Sequence, residues 1–369
     1  MENLVEFESL FSGIYLNKRV LVTGNTGFKG SWLCLWLQKM GAKVYGIAKE
    51  PITELSHFEL LKSDYSNDYV DINDFSLLEQ SITSFSPEII FHLAAQPIVR
   101  QSYLDPLETF NTNILGTANI LEISRKCPEL KAIINVTTDK CYQNKEQNYY
   151  YKEEDALGGH DPYSSSKACS EIITQSMRLS MFPIEKYGAE HSVLIATARA
   201  GNVIGGGDWS ADRLIPDLVT KANKNNTTVI RSPRAIRPWQ HVLESLSGYL
   251  LIGKELLLGN KNASGAWNIG PEMDANLSVE QIIENAKRTW MDIKVDLLPI
   301  NELHEAELLM LDNNKIKSIL KWDSVWNAEL AIEKTINWYK TYYENSVVRT
   351  EIDLQDYISD AKNKKVIWV

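Results

Sequence analysis

A short apolar strand followed at once by a glycine-rich turn and a helix constrains the fold of this chain most. The strand is expected at Arg19–Thr23, the turn reads GNTGFKG from Gly24 to Gly30, and the helix ends near Gly41. In such a unit the first glycine permits the tight turn, the second lets the backbone approach a pyrophosphate, and the third lets the helix pack on the strand. Free N–H groups at the helix amino terminus face the phosphates. The sequence therefore predicts a dinucleotide site, although its G-x-x-G-x-x-G spacing differs from the simplest G-x-G-x-x-G form.

Strands and helices alternate along the first part of the chain. Further strands are expected at 43–48, 88–93, 133–136 and 191–198, with a strand end at 69–72 and helices at 75–84, 105–127 and from 162 onward. This alternation favours a parallel sheet with helices on both faces. The predicted fold class is α/β, a Rossmann-type doubly wound parallel sheet.

After Ala200 the alternation loosens, but no sharp linker marks a boundary. Helices at 278–290 and 326–343 flank a short strand at 294–298, which is typical of a smaller mixed α/β domain built on the first. The expected division is a dinucleotide-binding domain at 1–200, a C-terminal substrate domain at 201–345 and a tail at 346–369. The segment 230–250 is expected to return to the first domain.

A tyrosine and a lysine four residues apart, Tyr163 and Lys167, follow a helix start at Asp161 and Pro162. Aspartate can cap such a helix, and proline is favoured in its first turn. Residues four apart share a helix face, so an ammonium would lie beside a phenol and lower its pKa from about 10. Such a tyrosine can take a proton from a sugar hydroxyl while a nicotinamide takes the hydride. Taken alone, the pair is more typical of a solvated helix face, and it gains weight from the glycine turn.

Small and polar residues follow other strands at the edge where doubly wound sheets bind ligands. Residues 137–140 follow one buried strand, and the Ala-Ala-Gln run at 94–96 follows another. The alanines suit close approach to a cofactor, and a tight turn explains them nearly as well. Lys49 and Glu50 stand side by side at the position that contacts the adenosine ribose of the cofactor. An acidic residue there binds the 2′-hydroxyl of NAD and a basic residue binds the 2′-phosphate of NADP, so Glu50 favours NAD. Asp71 at the next strand end could meet adenine.

The acidic balance of the chain excludes some classes of partner. A net charge of −10 argues against nucleic-acid binding by phosphate neutralisation. The cysteines, at 34, 127, 141 and 169, show no Cys-x-x-Cys or metal-ligand spacing, so we expect reduced thiols and no metal. No run approaches the roughly 20 apolar residues that span a bilayer, and residues 1–16 do not resemble a signal peptide. We expect a cytoplasmic protein with no membrane or nucleic-acid partner.

Three arginines, Arg231, Arg234 and Arg237, fall close together in this acidic chain. Guanidinium groups bind phosphate oxygens in bidentate fashion. The cluster therefore predicts a clamp for a diphosphate, with a solvated basic loop as the alternative.

Several longer motifs resemble the extended short-chain dehydrogenase/reductase family of NAD-dependent epimerases and dehydratases, over most of the chain from about Lys18 to Tyr357. They are TGNTGFKGSWL from Thr23, HLAAQPIVRQSYLDP from His92, TTDKCY from Thr137, YSSSK from Tyr163, RAGNVIGGGDW from Arg199 and IRPWQHV from Ile236. The glycine turn and Tyr-x-x-x-Lys specify only the superfamily. The narrower motifs are similar to enzymes that dehydrate CDP-glucose, because relatives acting on dTDP-glucose carry Glu in place of Lys140 and simple epimerases lack the acid at Asp139.

The resemblance implies a lyase that converts CDP-D-glucose to CDP-4-dehydro-6-deoxy-D-glucose in deoxysugar biosynthesis, with NAD as cofactor. Tyr163 would take the C4 hydroxyl proton as NAD⁺ takes the hydride, Lys167 would hold the nicotinamide ribose, and Thr138 would bond the C4 oxygen. Asp139 would be the general acid for the departing 6-hydroxyl, which requires a raised pKa. The hydride then returns to C6. Lys140 occupies the family's base position and would have to be neutral, so Tyr163 and a bound water are the alternatives for the base at C5.

By the same resemblance the first domain binds NAD and the second binds the nucleotide sugar. The residues implied for NAD are Gly24, Thr26, Gly27, Phe28, Lys29, Gly30, Asp71, Ile72, Leu93, Ala94, Ala95, Gln96, Asn113, Thr137, Tyr163 and Lys167. Those implied for the substrate are Asn202 and Arg237 at the diphosphate, with Arg100, Ser102, Tyr103, Arg213, Arg231 and His241 as looser candidates. Asn113 would also support the Tyr163–Lys167 pair. Subunits would pair through the two long helices near Asp105 and Tyr163, giving a homodimer or a dimer of dimers.

Two alternative functions stay open. One is a 4,6-dehydratase or 4-epimerase acting on another nucleotide sugar, and Asp139-Lys140 speaks against the epimerase. The other is a Rossmann-fold sensor that binds a dinucleotide without turnover. Such sensors tend to lose the tyrosine–lysine pair, which this chain keeps together with Thr138 and Asp139.

Overall fold

The computed structural model describes residues 6–230, 232–272, 277–298 and 308–369. The strands, in chain order, are β1 Arg19–Thr23, β2 Lys43–Ala48, β3 Ser66–Tyr69, β4 Ile89–His92, β5 Ala132–Val136, β6 Tyr150–Tyr151, β7 Leu194–Ala200, β8 Val203–Ile204, β9 Thr227–Ile230, β10 Ile236–Arg237, β11 Gln240–His241, β12 Gly265–Ile269, β13 Leu277–Ser278, β14 Lys294–Leu297 and β15 Met310–Leu311. The helices are α1 Phe28–Lys39, α2 His57–Leu61, α3 Phe75–Phe85, α4 Val99–Leu104, α5 Pro106–Phe110, α6 Gly116–Ser124, α7 Pro162–Ser180, α8 Leu214–Asn223, α9 Val242–Leu257, α10 Val279–Thr289, α11 Asn314–Leu320, α12 Ala328–Asn345 and α13 Thr350–Lys364. Short 3₁₀ segments lie at Phe7–Gly13, Asp139–Cys141, Ile184–Lys186 and Lys261–Ala263, and a π-helical turn at Asn111–Leu115 joins α5 to α6.

Seven of these strands form one sheet in the order β12-β7-β5-β4-β1-β2-β3, and each neighbouring pair in it is parallel. The chain enters in the middle at β1, moves outward to β3, returns to β4 and then fills the other half. Strands β4 and β7 are buried along their whole length, as expected when helices cover both faces. This is a doubly wound Rossmann-type sheet, and the predicted fold class is confirmed.

Alternate side chains of each strand fill two separate apolar cores. Val20 and Val22 of β1 point into one core with residues of α1 and α9, whereas Leu21 points into the other with residues of α3 and α6. The two cores sandwich the sheet between helical layers. The carboxyl ends of the parallel strands are thereby held at one edge, where the candidate site lies.

Helix α9 and strand β12 are not predicted by the sequence. Helix α9 is buried almost all round, and two serines and two glycines stand among its apolar residues, so it lacks the polar face by which a surface helix is recognised. Strand β12 pairs with β7 and completes the main sheet. Both elements belong with the sheet although they follow residue 200, and β12 lies beyond the segment 230–250 that was expected to return there. The exact domain boundaries stay a prediction.

The rest of the chain after β7 forms the smaller mixed α/β part. Helices α10 and α12 pack together, β9 pairs in parallel with β14, and β10 pairs antiparallel with β13. The predicted helices at 278–290 and 326–343 and the predicted strand at 294–298 correspond to α10, α12 and β14. A parallel bridge between β8 and β11 leads this part back into α9 and the sheet.

The C-terminal segment, for which the sequence predicts only a tail, contains helix α13 and docks on the amino-terminal end of the chain. The Phe11 N–H donates to the Trp368 carbonyl oxygen at 2.7 Å, and the two rings stack with centroids 5.2 Å apart. Trp36 of α1 and Tyr357 of α13 close around the same indole, at 5.7 and 5.8 Å. The last residues therefore belong to the larger core.

Three further properties concern the described residues as a whole. None of their helices is long and apolar enough to cross a membrane. No group of three or more His, Cys, Asp or Glu side chains among them is placed to hold a metal ion. The four cysteines are all free, and three of them are buried.

Trp368→Ala should lower the free energy of unfolding by about 3 kcal/mol, because it removes a buried indole and leaves a cavity beside Phe11. Ile367→Ala is the matched control, since 51% of Ile367 is exposed, and it should change that free energy by less than about 0.5 kcal/mol. Urea denaturation followed by far-ultraviolet circular dichroism measures both. Equal effects would show that the terminal segment does not help to hold the fold together.

Candidate active site

The glycine turn lies at the carboxyl end of β1, against the end of β4. Gly24 has a φ of +74°, and a Cβ on it would lie 2.7 Å from the Ala94 nitrogen. A Cβ on Gly30 would lie 2.2 Å from the Gly24 carbonyl oxygen. Both positions therefore require glycine, one for the turn and one for helix–strand packing, as predicted. Gly27 is the exposed N-cap residue of α1, so the amino terminus of that helix opens to solvent.

At the neighbouring strand ends, Lys49 and Asp71 form an ion pair with 2.9 Å between Nζ and Oδ2. The Thr26 hydroxyl donates to the Lys49 carbonyl oxygen at 2.9 Å, which fixes this residue beside the glycine turn. Glu50 is exposed next to them, and Ile72 is buried. Lys49 and Glu50 are the two residues between which the sequence left the contact to the adenosine ribose open. In the structure Lys49 is paired with the carboxylate of Asp71.

Asn113, in the π-helical turn, ties the end of β4 to α7. Its Oδ1 accepts from the Gln96 N–H at 2.8 Å, and its Nδ2 donates to the Gln96 carbonyl oxygen at 3.1 Å and to the Ser166 hydroxyl at 2.8 Å. Leu93 and Ala95 follow β4 at the same edge. The expected support of the Tyr163 helix by Asn113 thus has a physical route through Ser166.

Tyr163 and Lys167 lie on the first two turns of α7. Its N-cap residue Asp161 accepts from the Ser164 N–H at 2.8 Å, so the helix begins where the sequence predicts. Both side chains are buried, and the alternative of a solvated helix face is wrong. Lys167 Nζ donates to the Val136 carbonyl oxygen at 3.2 Å, at the end of β5.

Thr138 and Asp139 complete the cluster from the loop after β5. The side chains of Thr138 and Tyr163 are hydrogen-bonded, and the Thr138 hydroxyl also contacts Asp139 Oδ1 at 3.0 Å. Asp139 is 1% exposed, and its Oδ2 has no hydrogen-bond partner among the described residues. A Cβ on Gly201 would lie 2.3 Å from that oxygen, so the close packing of the loop against Asp139 requires glycine here.

Burial sets the protonation of the tyrosine–lysine pair. It raises the pKa of Tyr163 to about 12, and the Thr138 hydrogen bond and the charge of Arg213 only partly oppose this. It lowers the pKa of Lys167 to about 8. The predicted lowering of the tyrosine pKa by Lys167 is therefore wrong for this structure, because desolvation of both groups outweighs their proximity.

Asp139 has the property that a general acid needs. Burial raises the pKa of its carboxyl, and the neighbouring charges of Lys140, Arg237 and Lys29 oppose that shift without cancelling it. A carboxyl that keeps its proton at higher pH can give that proton to a leaving group. Lys140 is half-buried directly after it on the same 3₁₀ turn.

The Lys29 side chain belongs to the same cluster, although the sequence suggested only a cofactor contact. Its Nζ lies 3.4 Å from the Tyr249 hydroxyl of α9. Burial lowers the pKa of Lys29 to about 7, and the cations Arg213 and Lys167 act in the same direction. Tyr249 is itself buried and close enough to Tyr163 for their charges to interact. Tyr249 was missed because α9 was not recognised as a helix.

The structure brings two of the predicted substrate residues to this cluster. Arg237 is buried, and its charge acts on Asp139. The charge of Arg213 acts on Tyr163. Asn202 is half-buried between β7 and β8, in the same loop region. These three residues therefore stay candidates for the substrate.

The looser candidates for substrate binding lie in different kinds of environment. Ser102 is buried, and its hydroxyl accepts from the Tyr163 N–H at 3.1 Å, so it supports the start of α7. Arg100 pairs with Asp212 at 3.4 Å near the surface, and Tyr103 is half-buried on α4. None of these contacts by itself identifies a substrate position.

The structure gives His241 a packing role, and a substrate contact at this residue stays a prediction. It is fully buried, its ring lies 5.8 Å from that of Trp32 and 4.9 Å from that of Trp326, and its Nδ1 caps α9. Packing between apolar rings, which the sequence could not show, accounts for this histidine. In the arginine cluster, Arg231 lies outside the described residues and Arg234 is exposed.

A buried ion pair beneath the cluster was also missed. Glu171 and Arg199 lie 2.8 Å apart. Glu171 stands four residues after Lys167 on α7, so the helical spacing contained a signal for it.

The comparisons with known proteins agree on the fold and on the family. A family model described as GDP-mannose 4,6 dehydratase matches residues 21–335. A CDP-glucose 4,6-dehydratase of Salmonella typhimurium is 44% identical over 93% of this chain and 96% of that protein. The solved dTDP-glucose 4,6-dehydratase from Bacillus anthracis in complex with NAD superposes with a TM-score of 0.72 at 21% identity, over 89% of this chain and 98% of that one. The UDP-glucose 4-epimerase from Thermotoga maritima with UDP-glucose gives a TM-score of 0.75 at 21% identity, over 88% and 99%.

Asp139→Asn should raise the free energy of unfolding by about 1 kcal/mol at pH about 7. The carboxyl pKa is raised in the folded state, so the unfolded state ionises first as pH rises above about 4, and the carboxylate then destabilises the fold. The advantage of the variant should shrink as the pH falls toward about 4. Urea denaturation at both pH values measures this.

Asp323→Asn, at an exposed aspartate, is the control and should stay within about 0.5 kcal/mol of the wild type at both pH values. An Asp139→Asn variant that is less stable than the wild type at pH about 7 would show that the surrounding cations stabilise the ionised carboxylate.

Proposed function

The chain belongs to the family described as GDP-mannose 4,6 dehydratase, and on that premise we propose that it is an NAD-dependent lyase that dehydrates CDP-D-glucose to CDP-4-dehydro-6-deoxy-D-glucose. The observation that carries the reaction type is the buried cluster of Tyr163, Thr138 and Asp139, in which the carboxyl has a raised pKa. The choice of nucleotide is supported by the identity to the CDP-glucose 4,6-dehydratase over nearly the whole chain. A product of this kind belongs to deoxysugar biosynthesis.

The residues present fit NAD. Gly24 permits the tight turn and Gly30 the helix–strand packing, and the open amino terminus of α1 at Gly27 offers N–H groups to a pyrophosphate. Asp71 neutralises Lys49, the lysine that a 2′-phosphate would need, which favours NAD over NADP. Lys167 would hold the nicotinamide ribose. When bound, the cofactor supplies the acceptor for the C4 hydride and the donor that returns it to C6.

The residues of this chain move the protons. Tyr163 faces the sugar C4 oxygen together with Thr138, and the Thr138 hydrogen bond and the charge of Arg213 favour its phenolate against burial. Tyr163 takes the proton of the C4 hydroxyl while the C4 hydride leaves to the cofactor, and the resulting C4 ketone makes the C5 hydrogen acidic. A base removes the C5 proton, and Asp139, whose carboxyl pKa is raised by burial, gives its proton to the departing 6-hydroxyl, which leaves as water. As the hydride returns to C6, C5 takes a proton back. Lys140, Tyr163 and a bound water stay the three candidates for the base at C5.

The diphosphate of the substrate is expected next to the catalytic cluster, where two arginines lie. Arg237 and Arg213 both act on the catalytic cluster, and guanidinium groups suit phosphate oxygens. Asn202 lies in the loop that follows β7 and precedes both arginines in the sequence. We therefore assign the diphosphate to these three residues.

We infer a homodimer built on α7 and on the segment from α4 to the π-helical turn. Five large apolar side chains of these elements are exposed, and several exposed apolar side chains on packed elements indicate an interaction surface. They are Leu104 of α4, Leu107 of α5, Leu115 of the π-helical turn, and Ile172 and Leu179 of α7. The Asp105-capped helix α5 and the Tyr163 helix α7 pack against each other, so the proposed interface combines residues of both. Four helices from two copies would bury it.

We also infer a cytoplasmic location. The four cysteines are free, and three of them are buried without a partner sulfur. Thiols of this kind are typical of a reducing compartment.

Incubation with CDP-glucose and NAD⁺ should give a 4-keto-6-deoxy product, read by its alkaline absorbance, whereas dTDP-, GDP- and UDP-sugars should give none. Tyr163→Phe should lower kcat by about 10²-fold or more, because it removes the proton carrier. Tyr187→Phe is the control, since Tyr187 precedes β7 at the opposite edge of the sheet.

Product from another nucleotide alone would keep the dehydration and overturn the choice of CDP. A 4-epimer as product would overturn the dehydration, and binding without any product would favour a sensor.

Leu107→Glu and Ile172→Glu should each convert the dimer to a monomer in size-exclusion chromatography with light scattering, because a carboxylate would be desolvated in the interface. Met291→Glu, at a residue 88% exposed away from these helices, should leave the dimer intact. If all three variants keep the wild-type mass, the interface lies elsewhere.

A further inference from the structure

We propose that Glu171 is a positioning residue for the catalytic loop, residues 137–142: its carboxylate holds the loop against Tyr163 and places a fixed negative charge beside Lys167. This inference rests on the proposed function, because it takes Tyr163, Lys167 and the loop to carry out the reaction. Glu171 stands four residues after Lys167 and eight after Tyr163 on α7. The three side chains therefore share one helix face.

The Glu171 carboxylate is buried, and its hydrogen bonds come from fixed positions. Oε1 accepts from the Thr137 hydroxyl, at the start of the catalytic loop. Oε2 accepts from the Thr197 hydroxyl at 2.7 Å and from Arg199 Nη2 at 2.8 Å. The side chains of Glu171 and Arg199 are only 3% and 4% exposed. Hydrogen bonds to a charged group in so dry an environment are strong, so Thr137 is held firmly.

Arg199 holds the far end of the same loop. Its Nη1 donates to the Tyr142 hydroxyl at 2.8 Å and to the Glu153 carbonyl oxygen at 3.0 Å, and its guanidinium lies 4.9 Å from the centre of the Tyr142 ring. The Tyr142 hydroxyl in turn donates to Asn268 Oδ1 at 2.6 Å. Thr137 and Tyr142 bracket the turn that bears the catalytic residues. One buried ion pair therefore fixes both ends of that turn.

The turn needs these anchors because the hydrogen bonds that its backbone N–H groups donate within the turn are long. The Lys140 N–H lies 3.3 Å from Thr138 Oγ1, the Cys141 N–H 3.4 Å from the Thr138 carbonyl oxygen, and the Tyr142 N–H 3.5 Å from that of Asp139. Hydrogen bonds weaken over this range. A misplacement of about 1 Å in a reacting group can cost about 10²-fold in rate. The contacts that Glu171 and Arg199 make from outside the turn therefore set the geometry of Thr138 and Asp139.

Glu171 also acts on the charge of Lys167. Burial lowers the pKa of Lys167, and the Glu171 carboxylate is the largest influence in the opposite direction. The other titratable groups near Lys167 are Cys141, His92 and Lys29. Burial raises the pKa of the Cys141 thiol and lowers the pKa of the His92 imidazole to about 3, so both are uncharged near neutral pH. A positive charge on Lys29 disfavours a positive charge on Lys167. Glu171 is thus the group that keeps a proton on Lys167 near neutral pH.

Two matched variants test the positioning. Thr137→Val and Thr197→Val each remove one hydrogen bond to the same carboxylate, the first from the catalytic loop and the second from β7. We expect Thr137→Val to lower kcat by about 10-fold or more with an unchanged KM for NAD⁺, and Thr197→Val to stay within about 3-fold of the wild type. Thr137→Ser, which keeps the hydroxyl, should recover most of the loss.

Equal losses of kcat in the two valine variants would overturn the proposal, since the carboxylate would then serve the fold alone. A raised KM for NAD⁺ with an unchanged kcat in Thr137→Val would also overturn it, because Thr137 would then be a cofactor contact only.

Glu171→Gln tests the charge, because it keeps the shape of the side chain. The carboxylate raises the pKa of Lys167, so without it Lys167 should lose its proton at lower pH. The alkaline limb of the kcat–pH profile should move to lower pH by roughly one unit. The double variant Glu171→Gln/Arg199→Met removes the unpaired guanidinium as well, and it allows the same measurement if the single variant does not fold.

An unmoved alkaline limb would overturn the electrostatic part of the proposal. Failure of the wild-type protein to turn over any nucleotide sugar would overturn the proposed function instead, so the two failures are distinguishable.

Discussion

Ionisable side chains withdrawn from water at the carboxyl edge of the sheet are the constraint on which the site depends. Asp139 and Lys167 are buried there and Lys29 is half-buried beside them, and loss of water shifts the pKa of each in favour of its neutral form. Groups of this kind cost folding free energy, which the two apolar cores on either side of the sheet have to offset. The same burial brings the pKa of Lys167 to about 8 and the pKa of Lys29 to about 7, close to neutral pH. Groups poised there can both give and accept protons.

Helix α7 is the element that joins this chemistry to the fold. It presents Tyr163 and Lys167 to the site, takes up the Asn113 network through Ser166, and anchors the catalytic loop through Glu171. Its other side lies on the surface proposed for dimerisation. Because Tyr163, Lys167 and Glu171 project from one rigid helix, the positions of these three side chains relative to one another do not depend on loop conformation. A second subunit packed on α7 would stiffen the same element further.

Local signals in the sequence predicted the parts of the fold that local physics decides. The glycine turn, the Asp161 cap and the alternation of strands and helices each follow from backbone conformation or side-chain period, and each is found where expected. Helix α9, strand β12 and the docked Trp368 were missed, because their character comes from partners distant in the chain. The lowered pKa predicted for Tyr163 was wrong for the same reason. Spacing shows which groups are neighbours on a helix, whereas burial, which decides their charge, appears only in the packed chain.

The unpartnered Oδ2 of Asp139 connects the energetics of the site to its chemistry. A buried polar atom without a hydrogen bond costs about 1–3 kcal/mol, and native folds keep few of them. The Gly201 backbone lies close beside that oxygen, because a Cβ at this position would come within 2.3 Å of it. In the proposed reaction, the departing 6-hydroxyl of the hexose is the group that would both bond to this carboxyl and take its proton. The burial of the carboxyl is therefore the structural feature that most supports the proposed role of Asp139 as the general acid.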